Sequence, residues 1–212
     1  MIELRVAIDK IKLTSLNTSM PENLTIRALE AEDLESVKKF ADREIGQNYF
    51  SMKELTEIFT RSQKNRVMYS LVLQDKIGNI QGIRITYPAG NWSKGKGDGL
   101  NIAKWPHPLE QTAYFQSIFV SSALHGQGWG RKLSLASLQL LQQAHCKGVV
   151  CHSWKESPHN SSYRYLAKLG FKLIAEHPKY WKDVPYNCTR CGKPPCLCTA
   201  QEMYLNFDER NF

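Results

Sequence analysis

Apolar residues recur along this chain at two spacings, and the changes between them mark its elements. Ile2, Leu4, Val6 and Ile8 alternate with Glu3, Arg5 and Asp9, the period of a half-buried strand, and the alternation slips through Lys10–Leu13. Leu24–Leu29 reads as a second strand. From Glu30 to Ile45 the spacing becomes three and four, with Leu34, Val37, Ala41 and Ile45 on one helical face and Gly46 as the stop. Ser51 and Glu54 form a capping-box pair ahead of Leu55, Ile58 and Phe59. Val67–Gln74 and Ile80–Tyr87 read as strands joined by a turn at Asp75–Asn79. In the latter, Ile83, Ile85 and Tyr87 alternate with Gly82, Arg84 and Thr86, which predicts one solvated face. Phe171–Ala175 and Glu202–Phe207 read as the last two strands, and no internal repeat is present.

The densest pattern lies between Tyr114 and Ala144. Tyr114–Val120 is aromatic, apolar and β-branched, as a buried strand is. Gly126, Gly128 and Gly130 then alternate through a tight turn. Trp129, Leu133, Ala136, Leu140 and Ala144 follow at helical spacing. A strand, a glycine turn and a helix start together make an anion site, because the first helical amides lack internal partners and sit at the positive end of the helix dipole. Arg131 and Lys132 add charge there. The fitting guest is a phosphate or a diphosphate. A Walker loop needs Lys-Ser/Thr after its last glycine, and Gly130 is followed by Arg131 and Lys132. A dinucleotide loop needs a wider glycine spacing and an acid closing the next strand, and Val149–Ser153 has none.

His125-Gly-Gln-Gly128-Trp-Gly130 resembles the pyrophosphate loop of the GNAT superfamily of acetyl-CoA-dependent N-acetyltransferases, with His125 in the place of the leading Arg or Gln. Ser162-x-Arg164-x-Leu166-x-Lys168-Leu-Gly170-Phe171 is similar to the last helix and following strand of the same superfamily, and the strand-like Gly148–Ser153 lies between the two motifs. The resemblance covers roughly Leu24 to Phe207. It implies an α/β (α+β) fold, with a central mixed, mostly antiparallel sheet of about six to seven strands flanked by about four helices. One domain is expected over residues 1–212, with an N-terminal extension at 1–22, the core at 24–207, a long loop at 88–112 and a four-cysteine zinc knuckle at 186–200.

The resemblance also implies acetyl-CoA as cosubstrate, and direct attack on its thioester by a primary amine in a ternary complex. Phe119, Val120, His125, Gly126, Gln127, Gly128, Trp129, Gly130, Arg131, Lys132 and Asn160 are the expected cofactor contacts. Asn160 caps the last helix, contacts the pantetheine arm, or does both. Members often carry a Glu base on the central strand. Gln116 stands at that position and accepts a proton poorly. The position of the usual Tyr acid holds Leu166, with Tyr163 and Tyr165 beside it. His152, Glu156 and His159 follow the strand at Gly148–Ser153. Each is a candidate for proton transfer and each also reads as a solvated or otherwise satisfied polar residue. The catalytic candidates are thus Gln116, His152, Glu156 and Tyr165.

Cys188-x-x-Cys191-x4-Cys196-x-Cys198 is compact, and four thiolates at such spacing suit a structural zinc ion. Disulfides are the competing reading, disfavoured in a cytosolic chain. Ordinary members of the superfamily lack this insert. Pro88–Gln111 holds Trp92 and Trp105 among glycines, prolines and lysines, and reads as a lid over the acceptor entrance or a passive insertion. With 212 residues, 42% of them apolar, the chain is long enough for one real core. Its net charge of +8 favours polyanions. Coenzyme A satisfies that preference, so nucleic acid is a possible partner but not the favoured one. No run reaches signal-peptide or membrane length, so the expected location is cytoplasmic, without a membrane partner. The alternative function is a non-catalytic or regulatory acyl-CoA-binding module whose basic knuckle binds nucleic acid or protein.

Overall fold

The computed structural model of the chain describes residues 24–95, 97 and 99–209. The expected strand at Ile2–Ile8 and the extension at 1–22 lie outside them. The elements are β1 (Leu24–Ala28), α1 (Leu34–Glu44), α2 (Met52–Arg61), β2 (Gln63–Lys64), β3 (Val67–Met68), β4 (Leu71–Asp75), β5 (Ile80–Tyr87), β6 (Thr112–Val120), α3 (Trp129–Gln143), β7 (Gly148–Trp154), α4 (Ser161–Ala167), β8 (Lys172–His177) and β9 (Ala200–Asn206). Seven strands form one sheet in the order β1-β4-β5-β6-β7-β9-β8, and β2 pairs with β3 apart from it. Every neighbouring pair in the large sheet is antiparallel except β6 with β7. This is the expected α/β architecture, with four α-helices among the described residues. No helix among the described residues is long and apolar enough to cross a membrane.

The sheet is covered on both faces. Val37, Phe40, Leu55 and Ile58 of α1 and α2 pack with Ile83 and Ile85. Leu138 and Leu141 of α3 and Leu166 of α4 pack with Phe115, Val149 and Met203 on the opposite face. Two expectations are corrected. The face of β5 that carries Arg84 and Thr86 is not solvated: Arg84 is 2% exposed and Thr86 0%. Helix α3 presses against it, with Leu133 Cδ1 only 3.4 Å from where a Cβ on Gly82 would stand. The expected single strand Val67–Gln74 is broken at Tyr69–Ser70. There the buried Ser70 hydroxyl accepts the Thr86 N–H at 2.9 Å and lies 2.7 Å from Ser62 Oγ. These bonds hold the turn that hands the chain from the small ribbon to the large sheet.

The described part of the segment between β5 and β6 is docked on the sheet through its two tryptophans. Trp92 stacks on Tyr114 at 4.8 Å between ring centres and donates to the Thr112 carbonyl at 2.8 Å. Trp105 donates to Glu202 on β9 at 2.5 Å. The fully buried Glu202 carboxylate also accepts the Asn101 N–H, at 2.9 Å on one oxygen, and lies 2.6 Å from His177 Nε2. A buried carboxylate with donors from three directions is a clamp, and removing it leaves those donors without partners. Glu202→Ala is expected to lower unfolding stability by about 3–5 kcal/mol in urea titrations followed by tryptophan fluorescence, and Glu202→Gln by clearly less.

Candidate functional site

The site begins where two parallel strands part. β6 and β7 pair from Thr112↔Gly148 to Phe115↔Cys151 and then separate. Each keeps its other neighbour. Ile118, Phe119 and Val120 stay opposite Arg84, Ile83 and Gly82 of β5, while His152, Ser153 and Trp154 stay opposite Glu202, Gln201 and Ala200 of β9. Beyond Phe115 the facing backbone edges of the two strands therefore lose each other as hydrogen-bond partners. A cleft of about 380 Å³ occupies the gap, with Gln116, Phe119, His152, Trp154 and Tyr165 in its wall.

The glycine turn follows β6, and its Gly130 carbonyl accepts the hydroxyl of Tyr165 in the cleft wall. Gly126 and Gly128 have φ of 78° and 80°, a backbone shape glycine adopts freely. A Cβ at either would meet nothing within 4 Å, so both open onto free space. The loop side chains bend back onto the loop. His125 Nε2 lies 3.0 Å from the Val120 carbonyl, and Gln127 Nε2 donates to Ala123 O at 3.2 Å. Trp129, 3% exposed, packs with Leu71, Leu73 and Leu133. Lys132 Nζ lies 4.1 Å from the centre of the Trp129 ring. The turn thus offers backbone, since the first residues of α3 have no acceptors one turn earlier. The Lys132 N–H is the first to bond back, to Gly128 O at 3.0 Å. Phe119 and Val120 project to opposite faces, Phe119 against Tyr49 and Val120 among the residues under α3.

The catalytic candidates have different fates. Gln116 lies in the cleft wall, its Oε1 buried with no partner. Tyr165 is there too, its hydroxyl 2.9 Å from Gly130 O and 2.5 Å from Ser134 Oγ, so it ties the start of α3 to α4. His152 Nε2 lies 3.0 Å from the Gly99 carbonyl, and Nδ1 lies 3.2 Å from the hydroxyls of both Tyr114 and Tyr180. Burial is the main cause that brings its pKa down to about 3, with the His177 charge adding to it and the Gly99 carbonyl opposing. The ring is neutral at neutral pH. Glu156 stands away from the cleft wall. Its carboxylate accepts the Thr199 N–H at 3.0 Å and lies 3.5 Å from Arg190, holding the cysteine-rich segment. Asn160 occupies the N-cap position of α4 without a side-chain cap bond, which corrects the capping expectation. It is left-handed, with φ of 51°, and Ser157 Oγ takes the Ser162 N–H instead, at 3.0 Å. Asn160 Oδ1 is buried without a partner, which leaves it available to a ligand.

Glu44, at the end of α1, is a wall residue that the sequence reading missed. It accepts the Ser122 N–H at 3.0 Å and the Ser121 hydroxyl at 3.3 Å. Burial opposes its ionisation, but the bonds from Ser122 and Arg43 outweigh it and lower its pKa. One signal was present: a carboxylate at a helix C-terminus faces an unfavourable dipole, so its placement needs another reason.

The four clustered cysteines meet. Their Sγ atoms all lie within 4.8 Å of one another, with Cys188 to Cys198 at 3.8 Å and Cys191 to Cys198 at 3.5 Å. All four are free thiols. Gly192 N–H donates to Cys188 O at 2.8 Å and tightens the first pair. Burial opposes ionisation of Cys188, yet the N–H groups of Cys191 and Arg190, with the neighbouring thiols, bring its pKa down to about 7. The cluster adjoins the cleft. Cys188, Tyr186 and Trp181 are wall residues, and Tyr186 meets Tyr49 edge-on at 5.5 Å, so the segment touches the α1–α2 connection.

Known proteins share this fold. The model of the "Acetyltransferase (GNAT) family" matches residues 52–171. Among solved structures, the ribosomal-protein-S18-alanine N-acetyltransferase from Escherichia coli superposes with a TM-score of 0.60 at 18% identity, over 89% of this chain and 99% of that one. An N-acetyltransferase from Staphylococcus aureus Mu50 gives 0.61 at 17% identity, over 87% and 98%. The yncA protein from Salmonella typhimurium, solved with its cofactor acetyl-CoA, gives 0.59 at 17%, over 89% and 96%. These identities speak for the fold alone. No curated protein matches the sequence significantly.

The buried neutral His152 makes stability depend on pH. Its folded pKa lies below the unfolded value of 6.5, so its contribution is complete above 6.5 and is lost as pH falls from there toward 3. Unfolding free energy is expected to fall by up to about 1.4 kcal/mol per pH unit from this one proton, and that part of the slope should vanish in His152→Gln. Urea titrations of both chains between pH 7 and pH 4.5 read the difference.

Proposed function

We propose that this chain, which belongs to the GNAT acetyltransferase family, transfers an acetyl group from acetyl-CoA to a primary amine by direct attack in a ternary complex. The observation that carries this reading is the open backbone turn at Gly126–Gly130, tied through the Gly130 carbonyl to Tyr165 in the wall of a cleft between parting strands. Amides at a helix start favour a diphosphate. The unpaired edges of β6 and β7 suit the amide groups of a pantetheine arm, and Asn160 Oδ1 and Gln116 Oε1 are unpartnered acceptors along the way. Backbone N–H groups on the free edge of β6, at the level the thioester reaches, polarise its carbonyl, where negative charge grows in the transition state.

The acceptor enters from the side of Glu44, Tyr49, Trp181 and Tyr186. Glu44 supplies negative charge to draw in a protonated amine. The amine must then lose a proton before it attacks, since a lysine-like group has a pKa of about 10.4. His152 is a weak base in its buried setting, and Gln116 none. The proton therefore leaves through water, toward the negative charge of Glu44. Tyr165 holds the start of α3 in place through the Gly130 carbonyl.

The cysteine cluster fits a structural zinc ion. Tetrahedral zinc with Zn–S bonds of about 2.3 Å places sulfurs about 3.8 Å apart. The separations of 3.5 and 3.8 Å match that edge, whereas a disulfide needs about 2.05 Å. Four thiolates leave no open coordination position, so the metal shapes the acceptor wall without taking part in chemistry. Free thiols at this density fit a reducing compartment such as the cytoplasm. The nucleic-acid module reading gains less support, because Arg190 is paired with Glu156 and Lys182 lies 3.8 Å from Asp183.

Two measurements test these readings. Asparagine tolerates the left-handed backbone at position 128, and aspartate of the same size adds a charge that repels a diphosphate. Gly128→Asp is expected to weaken acetyl-CoA binding at least about 30-fold in calorimetry, and Gly128→Asn by only a few-fold. Equal effects of the two would remove the turn from the binding site. Elemental analysis of the purified protein is expected to give one zinc per chain, lost in Cys198→Ser; a folded, metal-free protein with reduced thiols would remove the zinc.

A further inference from the structure

Arg84 is buried where the acyl-CoA reading has no use for it. It lies on β5 with its side chain 2% exposed, in the wall of the cleft beside Phe115, Cys151 and Tyr165. Its Nε and Nη2 have no hydrogen-bond partner. The guanidinium carbon sits 3.4 Å from the centre of the Phe115 ring. A ring face attracts a cation, but it does not replace acceptors for the three N–H donors on Nε and Nη2. The neighbours supply no charge either. Burial pushes the Cys151 thiol up and raises the Tyr165 pKa, so both are neutral at neutral pH. Desolvation lowers the Arg84 pKa itself only to about 10, so the side chain stays charged. Bare buried cations are rare because hydration lost must be replaced by an anion.

The position of this cation relative to the glycine turn suggests which anion. From Val120, beside the turn, to Phe115 is five strand residues, roughly 16 Å. The arm of coenzyme A from diphosphate to sulfur is a chain of about thirteen bonds, roughly 15 Å when extended. A diphosphate held at the turn therefore delivers its sulfur to the level of Phe115, where the guanidinium lies.

We propose that Arg84 is a catalytic residue that neutralises the coenzyme A thiolate as it leaves. This rests on the acyl-CoA reading of the cleft. The amine nitrogen attacks the thioester carbon, the C–N bond forms, the C–S bond breaks, and its electron pair departs on sulfur. The amine proton passes to water on the acceptor side, and Arg84 stays protonated throughout. The neutral thioester gives the guanidinium little, and the growing thiolate gives it a full counter-charge. That difference is what speeds a reaction.

Calorimetry with coenzyme A and desulfo-coenzyme A tests this on wild-type, Arg84→Met and Arg84→Lys chains. Wild type is expected to bind coenzyme A about tenfold or more tightly than the desulfo compound at pH 9, with the gap shrinking toward pH 6 as the thiol protonates. Arg84→Met should close the gap and leave desulfo-coenzyme A affinity within about twofold, while Arg84→Lys keeps part of it. Turnover of acetyl-CoA should fall about 100-fold in Arg84→Met through kcat, with KM little changed. The Met variant should melt no lower than wild type, since it removes an unpaired buried charge. An unchanged gap overturns the proposal. So does an equal loss of both ligands, which would put the contact on the arm. A preference for a carboxylated acyl-CoA that Arg84→Met abolishes would assign the cation to the acyl group and overturn it as well. Should Arg84→Met not fold, the wild-type gap, its pH dependence and the Lys variant still decide. Failure of the wild type to bind either ligand is a different result: it removes the acyl-CoA reading itself.

Discussion

The structure depends on a parallel strand pair that stops pairing partway. β6 and β7 share only the register Thr112–Phe115 with Gly148–Cys151, yet both continue. They can part because each is held on its outer side, β6 by β5 and β7 by β9, through antiparallel ladders that run on past the split. Unpaired backbone edges facing each other across a gap are costly without a ligand or water to bond them. The split therefore defines a place for an extended, amide-bearing chain. The glycine turn after β6 adds amides that suit its diphosphate.

The surroundings of the cleft are built from parts distant in sequence. Glu202 on β9 clamps Asn101 and Trp105 of the long connection, and His152 reaches the Gly99 carbonyl of the same segment. Across the cleft, the cysteine cluster brings Trp181 and Tyr186 to the wall and sets Tyr186 against Tyr49. Glu156 fastens that cluster to the end of β7 by accepting the Thr199 N–H. Polar residues that a linear reading offers as catalysts are thus partly used as fasteners. Glu44 remains as the acidic group of the wall, fixed by Ser121 and Ser122 at the end of β6.

What could be read from the sequence follows from how local each signal is. The glycine turn and the presence of the helix after it were legible because positive φ values and a helical apolar spacing leave marks in adjacent residues, but the buried face runs through Leu133, Ser137, Leu138 and Leu141 and leaves Ala144 exposed. The cysteine cluster was legible from spacing alone. Arg84 was misread because polar-apolar alternation signals a solvated face only when nothing covers that face, and α3 covers this one. The break at Ser70 was hidden because it depends on Thr86 and Ser62, neighbours only after folding. Glu44 and Glu202 were hidden for the same reason. The ends of the last strands moved by one or two residues: β8 runs on to His177 and β9 starts at Ala200, opposite both Trp154 and His177.

The central claim is that backbone amides at the turn, and along the free edge of β6, receive an acyl-CoA. Amide chemical shifts of the 15N-labelled protein, recorded as acetyl-CoA is added, test it most directly. The account predicts that Gly126, Gly128, Gly130 and Arg131 move first and furthest, joined by Gln116–Val120, with saturation at a single affinity. Saturable shifts confined to other surfaces, or a turn that stays unmoved at millimolar acetyl-CoA, would contradict it.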